Sequence, residues 1–212
     1  MTNNKLASSI FYLFFTLLIS IGHVYAESIA DLRKQVEQEN ASAQNKLGKH
    51  YYNNGNKSLA ETWFRKSANH GYADGQFNLG MIFHEKQQYK EAEKWIRTAA
   101  EKGHIKAQIN MGSYYYVGRG VNKDDKIAVE WYRKSAENGN ALAQDNLGMK
   151  YTLGQGVERD YVQAYIWLSL AAMHGDEVAV FHRYILRPKL TTQQLKEARA
   201  EVRKRYVELY LK

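Results

Sequence analysis

Imidazole, hydroxyl and carboxylate groups are the side chains here that could do chemistry, and their spacing decides which chemistry is on offer. His50 and His84 lie two and four residues past Gly48 and Gly80, on what the repeat pattern below makes neighbouring helices, where a pair of imidazoles is the start of a zinc site. The simpler expectation is solvated or hydrogen-bonded histidines. His70, His104 and His174 flank the glycines at 71, 103 and 175, where a histidine can interact with a helix C-terminus. No S-x-x-K, no G-x-x-x-x-G-K-[S/T] and no H-E-x-x-H occurs, so the nucleophile, phosphate-cradle and zinc-protease arrangements are missing. The expectation is no catalytic residue, no cofactor and no metal.

The elements that must position any site are announced by self-similarity. Four segments align, beginning at Ala43, Gly75, Ala107 and Ala143, each running to an interior glycine (Gly48, Gly80, Gly112, Gly148), a tryptophan (Trp63, Trp95, Trp131, Trp167) and a closing glycine (Gly71, Gly103, Gly139, Gly175). Each closing glycine follows its tryptophan by eight residues, and the next interior glycine follows nine later. Only the interval from interior glycine to tryptophan varies, from 15 residues in the first two copies to 19 in the last two. A single variable interval predicts two rigid helices joined by one surface loop.

Apolar residues recur at helical spacing within a copy, as in Ala43, Leu47 and Tyr51, then Ala60, Phe64 and Ala68 beside Leu59 and Trp63. The longer loops, Gly118-Arg119-Gly120-Val121 and Gly154-Gln155-Gly156-Val157, are each followed three residues later by Asp124 or Asp160, which predicts N-caps for the second helix. Interior glycines sit mid-helix, where glycine costs about 1 kcal/mol relative to alanine. Its return at one register in all four copies predicts that helices approach too closely there for a side chain. Most aromatics, including Tyr51, Phe83, Tyr115 and Tyr151, fall on repeat positions and are expected in the core. The fold class read from this pattern is all-α, a right-handed α/α superhelical solenoid of helix-turn-helix repeats.

Residues 1–26 have the features of a secretory signal, with Lys5, an apolar run from Ile10 to Ile21 and small residues ending at Ala26. The run is about a dozen residues, short of the ~20 that cross a bilayer, so cleavage rather than stable membrane insertion is expected. Residues 27–40 read as an N-terminal capping helix with Ile29, Leu32 and Val36. Four repeats follow at 41–72, 73–104, 105–140 and 141–176, and then C-terminal capping helices over 177–212, one stopped near Pro188, one opened by a Thr191/Gln194 capping box. Solenoid ends need such caps. The chain has no cysteine and a formal charge of +8, spread over every repeat, which is a solvated helical surface and not the clustered stripe of a nucleic-acid binder. Sequons at Asn40 and Asn56 are taken as chance.

The pattern A-x-x-x-L-G, a tyrosine, a G-x-G-V loop, an aspartate, a tryptophan and a closing glycine resembles the Sel-one-like repeat family, a relative of the tetratricopeptide repeats. The likeness runs from about Ala41 to Asp176. The first two copies, with their shorter loop, approach tetratricopeptide spacing, but Gln44, Gln76, Gln108 and Gln144 stand where that signature has tryptophan. The resemblance implies a protein-binding adaptor, with secreted bacterial members tied to envelope processes and host contact. A cysteine-rich branch tied to β-lactams and cell-wall precursors differs from this chain, which lacks those cysteines.

By the same analogy the ligand groove on the concave face is lined three before, and one and four after, each interior glycine. That selects Asn45, Lys49 and Tyr52; Phe77, Met81 and His84; Ile109, Ser113 and Tyr116; and Asp145, Met149 and Thr152. The apolar middle of this face suits an extended peptide or an amphipathic helix, unless flanking helices or a second copy cover it. The expected function is a non-enzymatic periplasmic or secreted scaffold whose partner is a protein or peptide, not nucleic acid, with self-association left open. A cell-wall enzyme or precursor binder and a secreted host-interaction factor are the alternatives.

Overall fold

The structure is a computed structural model and describes residues 40–211 together with Asp31 and Lys34. The signal segment 1–26 lies outside the described residues. So does the N-terminal capping helix, except that Asp31 and Lys34 are helical and exposed.

Eight helices make up the repeats: α1 (Ala41–Asn53), α2 (Lys57–Asn69), α3 (Ala73–Glu85), α4 (Tyr89–Glu101), α5 (Ile105–Val117), α6 (Asp125–Glu137), α7 (Ala141–Leu153) and α8 (Tyr161–Met173). All are 13 residues long, so the four residues by which later copies exceed earlier ones fall wholly in the loop between their two helices. α9 (Glu177–Leu186), a 3₁₀ turn (Arg187–Lys189) and α10 (Thr192–Tyr210) follow. No strand occurs among the described residues.

Short polar side chains start these helices. The backbone amides of Ala43, Leu59 and Ala143 donate to the side-chain oxygens of Asn40, Asn56 and Asn140, and Asp124, Asp160 and Asp176 each accept two amides. A cap of this kind is worth about 1 kcal/mol. Asn40 and Asn56 therefore have a structural reason for being where they are. Asp124 and Asp160 do what the sequence predicts of them, and Thr191 with Gln194 forms the predicted capping box. His104 departs from expectation. It follows its closing glycine directly and caps the next helix, its Nδ1 accepting from the amide of Ala107 at 3.1 Å.

The chain divides into two compact units, one ending at Gly75 and one beginning at Gln76. In the first, α1 packs on α2, and Gly48 lies under the Phe64 ring so closely that a β-carbon would stand 2.5 Å from Cδ1. Ser67, fully buried, donates to the Ala41 carbonyl at 2.6 Å and ties the hairpin shut.

In the second unit α5 packs on α4 and α6, α7 on α6 and α8, and α8 on α9 and α10. Gly80, Gly112 and Gly148 meet Ile96, Tyr132 and Leu168 as Gly48 meets Phe64. The residue after each tryptophan thus seats on the interior glycine of its own repeat, as the recurring glycines predict. One core gathers Ala92, Ile96, Met111, Tyr114 and Trp131; a larger one joins repeats three and four to Leu186, Leu190, Ala198 and Val202 of the C-terminal elements. An apolar stripe of α10 makes this contact, with Leu195, Tyr206 and Leu209 packed against the edge of the larger core.

Two of the glutamines that stand at the tetratricopeptide tryptophan position, Gln108 and Gln144, clamp successive repeats. Gln108 Nε2 donates to the Ala100 carbonyl at 3.3 Å and Gln144 Nε2 to the Ala136 carbonyl at 3.1 Å. Each thereby gives a second donor to a last-turn carbonyl that already accepts from the amide of the closing glycine. Tyr210 extends the clamp, accepting from Gln144 and donating to the Gly139 carbonyl.

Candidate functional site

In the first unit the three residues selected by register differ in their surroundings. Asn45 is buried, Lys49 is exposed and lies 3.8 Å from Asp74, and the half-buried Tyr52 ring has Lys57 Nζ 5.7 Å from its centroid. The salt bridge is solvated and worth little.

In the second unit the first helices carry the rest. Phe77, half-buried on α3, stacks on the His104 ring at 4.6 Å, and Met81, one turn on, packs at the edge of the smaller core. His84, a turn further, has Nδ1 2.6 Å from the Tyr114 hydroxyl. Burial lowers its pKa, with the positive charge of Arg119 adding to the effect, while Tyr114 is pushed up to about 12 by its own desolvation. That favours neutral imidazole accepting from the phenol.

On α5, Ser113 Oγ lies 3.3 Å from the Tyr132 hydroxyl and Tyr116 is 40% exposed, the most open aromatic of the selected set. On α7, Met149 is half-buried and Thr152 donates to the Gly148 carbonyl.

The position three before each interior glycine is where the analogy gives way. Asn45, Ile109 and Asp145 are 2%, 8% and 8% exposed, so they do not line an open groove. Ile109 belongs to the larger core. Asp145 is covered by the C-terminal helix α9, whose His182 has Nδ1 2.8 Å from its carboxylate. A flanking helix therefore covers this position in the fourth repeat.

Register reasoning missed Lys150. It occupies the position two past an interior glycine, which is core in the neighbouring copies (Ile82, Tyr114), yet it carries a charge at 5% exposure. Its Nζ donates to Asp125 and Gln155 at 3.1 Å each and lies 3.5 Å from the centroid of the Tyr116 ring. Burial lowers its pKa against the opposing pull of Asp125. This cation braces the one open ring of the face, a contact worth up to about 2 kcal/mol when desolvated. A lysine two past the glycine where its neighbours are apolar was the signal for it.

Nothing in this arrangement offers a nucleophile with an adjacent base. His50 is half-buried, with Nε2 3.1 Å from the Asn54 amide nitrogen, and among the described residues no group of three or more histidines and carboxylates is placed to hold a metal. Nor is any helix of the described residues long and apolar enough to cross a membrane.

Stacked helical hairpins locked by interior glycines define a repeat scaffold. The Sel1 repeat model matches residues 41–72, 73–104, 105–140 and 141–176. The chain belongs to the Sel1 repeat family, and its all-α solenoid class is that of the family's solved structures. One similar structure is a protective antigen present in uropathogenic Escherichia coli strains, with an SLR fold: 40% identity, a TM-score of 0.77, 84% of this chain and 40% of that one. Another is a Sel1 repeat protein from Oxalobacter formigenes, at 34% identity and a TM-score of 0.67, over 72% of this chain and 66% of that one. The chain thus spans less than two thirds of either relative. No curated protein matches it significantly.

Proposed function

We propose that this protein is a non-enzymatic scaffold, secreted or periplasmic, that binds a polypeptide through the first-helix face of its second unit. The observation that carries the reading is the run of Phe77, Met81 and Tyr116, apolar or aromatic and only partly covered, with Tyr116 held in place by Lys150. Rigid aromatics partly open to solvent are the usual anchors of a protein interface. The ligand suited to such a face is an amphipathic helix or extended segment with apolar side chains at helical or alternate spacing. Sel1 repeats as a family are interaction scaffolds, which favours binding over chemistry.

Capture from an envelope extract tests this, comparing wild type with Phe77→Ala plus Tyr116→Ala. The expected result is loss of specific partners at matched thermal stability; an identical set of captured proteins would refute the assignment of the face. A host-interaction role is a second reading, favoured by the 40% identity to a protein described as a protective antigen of a pathogen. It predicts recovery of the protein from culture supernatant rather than from the periplasmic fraction.

A further inference from the structure

The C-terminal elements enclose an open cleft of about 480 Å³ between α8, α9 and α10, within the range of small-ligand sites. Four arginines line it: Arg183 and Arg187 from α9 and the turn after it, Arg199 and Arg203 from α10. Within each pair the spacing is four residues, which sets like charges side by side on a helix, an arrangement that destabilises by a few tenths of a kcal/mol. No carboxylate is among the residues that line the cleft.

The contrast with the other described arginines is sharp. Arg65, Arg97 and Arg205 each pair with a glutamate four residues earlier, and Arg119, Arg133 and Arg159 lie over tyrosine rings. Arg183, Arg187, Arg199 and Arg203 alone among the described arginines form neither an ion pair nor a ring contact.

A second observation points the same way. Ser169 of α8, 3% exposed, lines the same cleft, and its buried Oγ has no hydrogen-bond partner. Two other serines buried in second helices, Ser67 and Ser135, both donate to backbone carbonyls. Ser169 thus adds a polar group without a partner to the four unpaired cations of the cleft.

We infer that this cleft is a binding site for a phosphate-type oxyanion. A phosphate monoester carries about −1.5 to −2 charge near neutral pH and three strong acceptor oxygens. That answers several guanidinium forks and one hydroxyl together, where a lone carboxylate would leave most of the positive charge uncompensated. Met173 and Val180 form an apolar wall for the body that carries the phosphate. Phosphorylated small molecules and phospholipid headgroups both present this chemistry.

The test uses the full chain in low salt, with pyrophosphate in a calorimetric titration and phosphatidylcholine vesicles containing phosphatidic acid in a co-sedimentation arm. Arg183→Glu plus Arg199→Glu is compared with Lys46→Glu plus Lys106→Glu, which makes the same change in net charge at exposed lysines outside the cleft. Pyrophosphate binding at one equivalent is expected, weakened about a hundredfold or more by the arginine pair, which removes two charge-assisted hydrogen bonds. The lysine pair should stay within about threefold, because neither lysine lines the cleft. Ser169→Ala, which leaves every recorded contact intact, should weaken binding about fivefold, and it decides the matter if the arginine variant melts early. Vesicle binding that pyrophosphate displaces assigns the lipid source, and pyrophosphate binding without vesicle binding the soluble one. The inference is overturned if neither probe binds or if both charge-matched pairs lose equally.

Discussion

Replacing Gly112 with alanine sets two opposed effects against each other, and the structure says which should win. Alanine is favoured over glycine by about 1 kcal/mol in a helix interior, and α5 continues unbroken on both sides of this position. Against that, a β-carbon here would stand 2.5 Å from Cε1 and 2.6 Å from Cδ1 of Tyr132. That ring is 2% exposed and its hydroxyl faces Ser113 Oγ, so it cannot swing into solvent. Forcing one carbon into a packed core costs about 1–3 kcal/mol, and at a sub-van-der-Waals contact with a pinned ring the upper part of that range applies. The net expectation for Gly112→Ala is a loss of about 1–2 kcal/mol, or roughly 2–8 °C in thermal midpoint for a domain of this size. Gly112→Leu should lose considerably more.

The cause can be separated from any general intolerance of α5 by a double-mutant cycle read by urea denaturation and circular dichroism. In a Tyr132→Ala background, itself costly, the ring is gone, and Gly112→Ala should become neutral or stabilising by about 1 kcal/mol, the helix-propensity term alone. Coupling of about 2 kcal/mol between the two positions is the expected reading. A wild-type background in which Gly112→Ala raises the midpoint, or a cycle with no coupling, would show that the glycine is not there to admit the ring.

Gly156→Ala tests the longer loop: φ there is +73° and an added β-carbon would collide with the backbone carbonyl of Asp125 at the start of α6, so a loss of about 2–4 kcal/mol is expected in the same denaturation assay. The solvated glycine Gly175, with φ +80° and open space around it, should lose only the conformational part, about 1 kcal/mol. His84 predicts a pH dependence. Its folded pKa lies below the ordinary value of 6.5, so the unfolded chain binds the proton more readily. Stability is therefore unimpaired above the ordinary value, starts to fall as the pH drops through it, and stops falling below the folded pKa. Denaturation midpoints from pH 7.5 to 5 should decline more steeply for wild type than for His84→Gln, and equal slopes would refute the assignment.

The hairpins were legible because their signals are local and repeated. Four copies of a glycine at one register, a tryptophan at one distance and a cap after each longer loop leave little freedom, and the structure places Asp124, Asp160 and Thr191 as the sequence predicts. The groove was less legible because exposure is set by what lies across from a residue. Asp145 is polar and sits on the expected face, yet it is covered by α9, which lies 37 residues downstream at the contacting His182. No periodicity within repeat four could announce that. Lys150 was hidden for the opposite reason, since its charge suggests solvent while Asp125, 25 residues earlier, makes burial tolerable.

The arginine cleft shows a third way for a site to escape the sequence. Its arginines come from α9, the turn after it and α10, outside the four-fold register, so repeat analogy has nothing to say about them. α10 shows on its face only a capping box and an apolar stripe, the marks of a solenoid end. That stripe is satisfied by packing, with Ala198 and Val202 buried in the larger core. Yet a cap needs only a polar outer surface, and glutamate-paired arginines of the kind found at 65, 97 and 205 would have supplied it. Ser169→Ala separates the two roles in the protein without ligand. A residue present only to close the stack should cost stability when its polar group is removed, as Ser67 would. Ser169, with its hydroxyl unmet, should cost nothing or raise the midpoint.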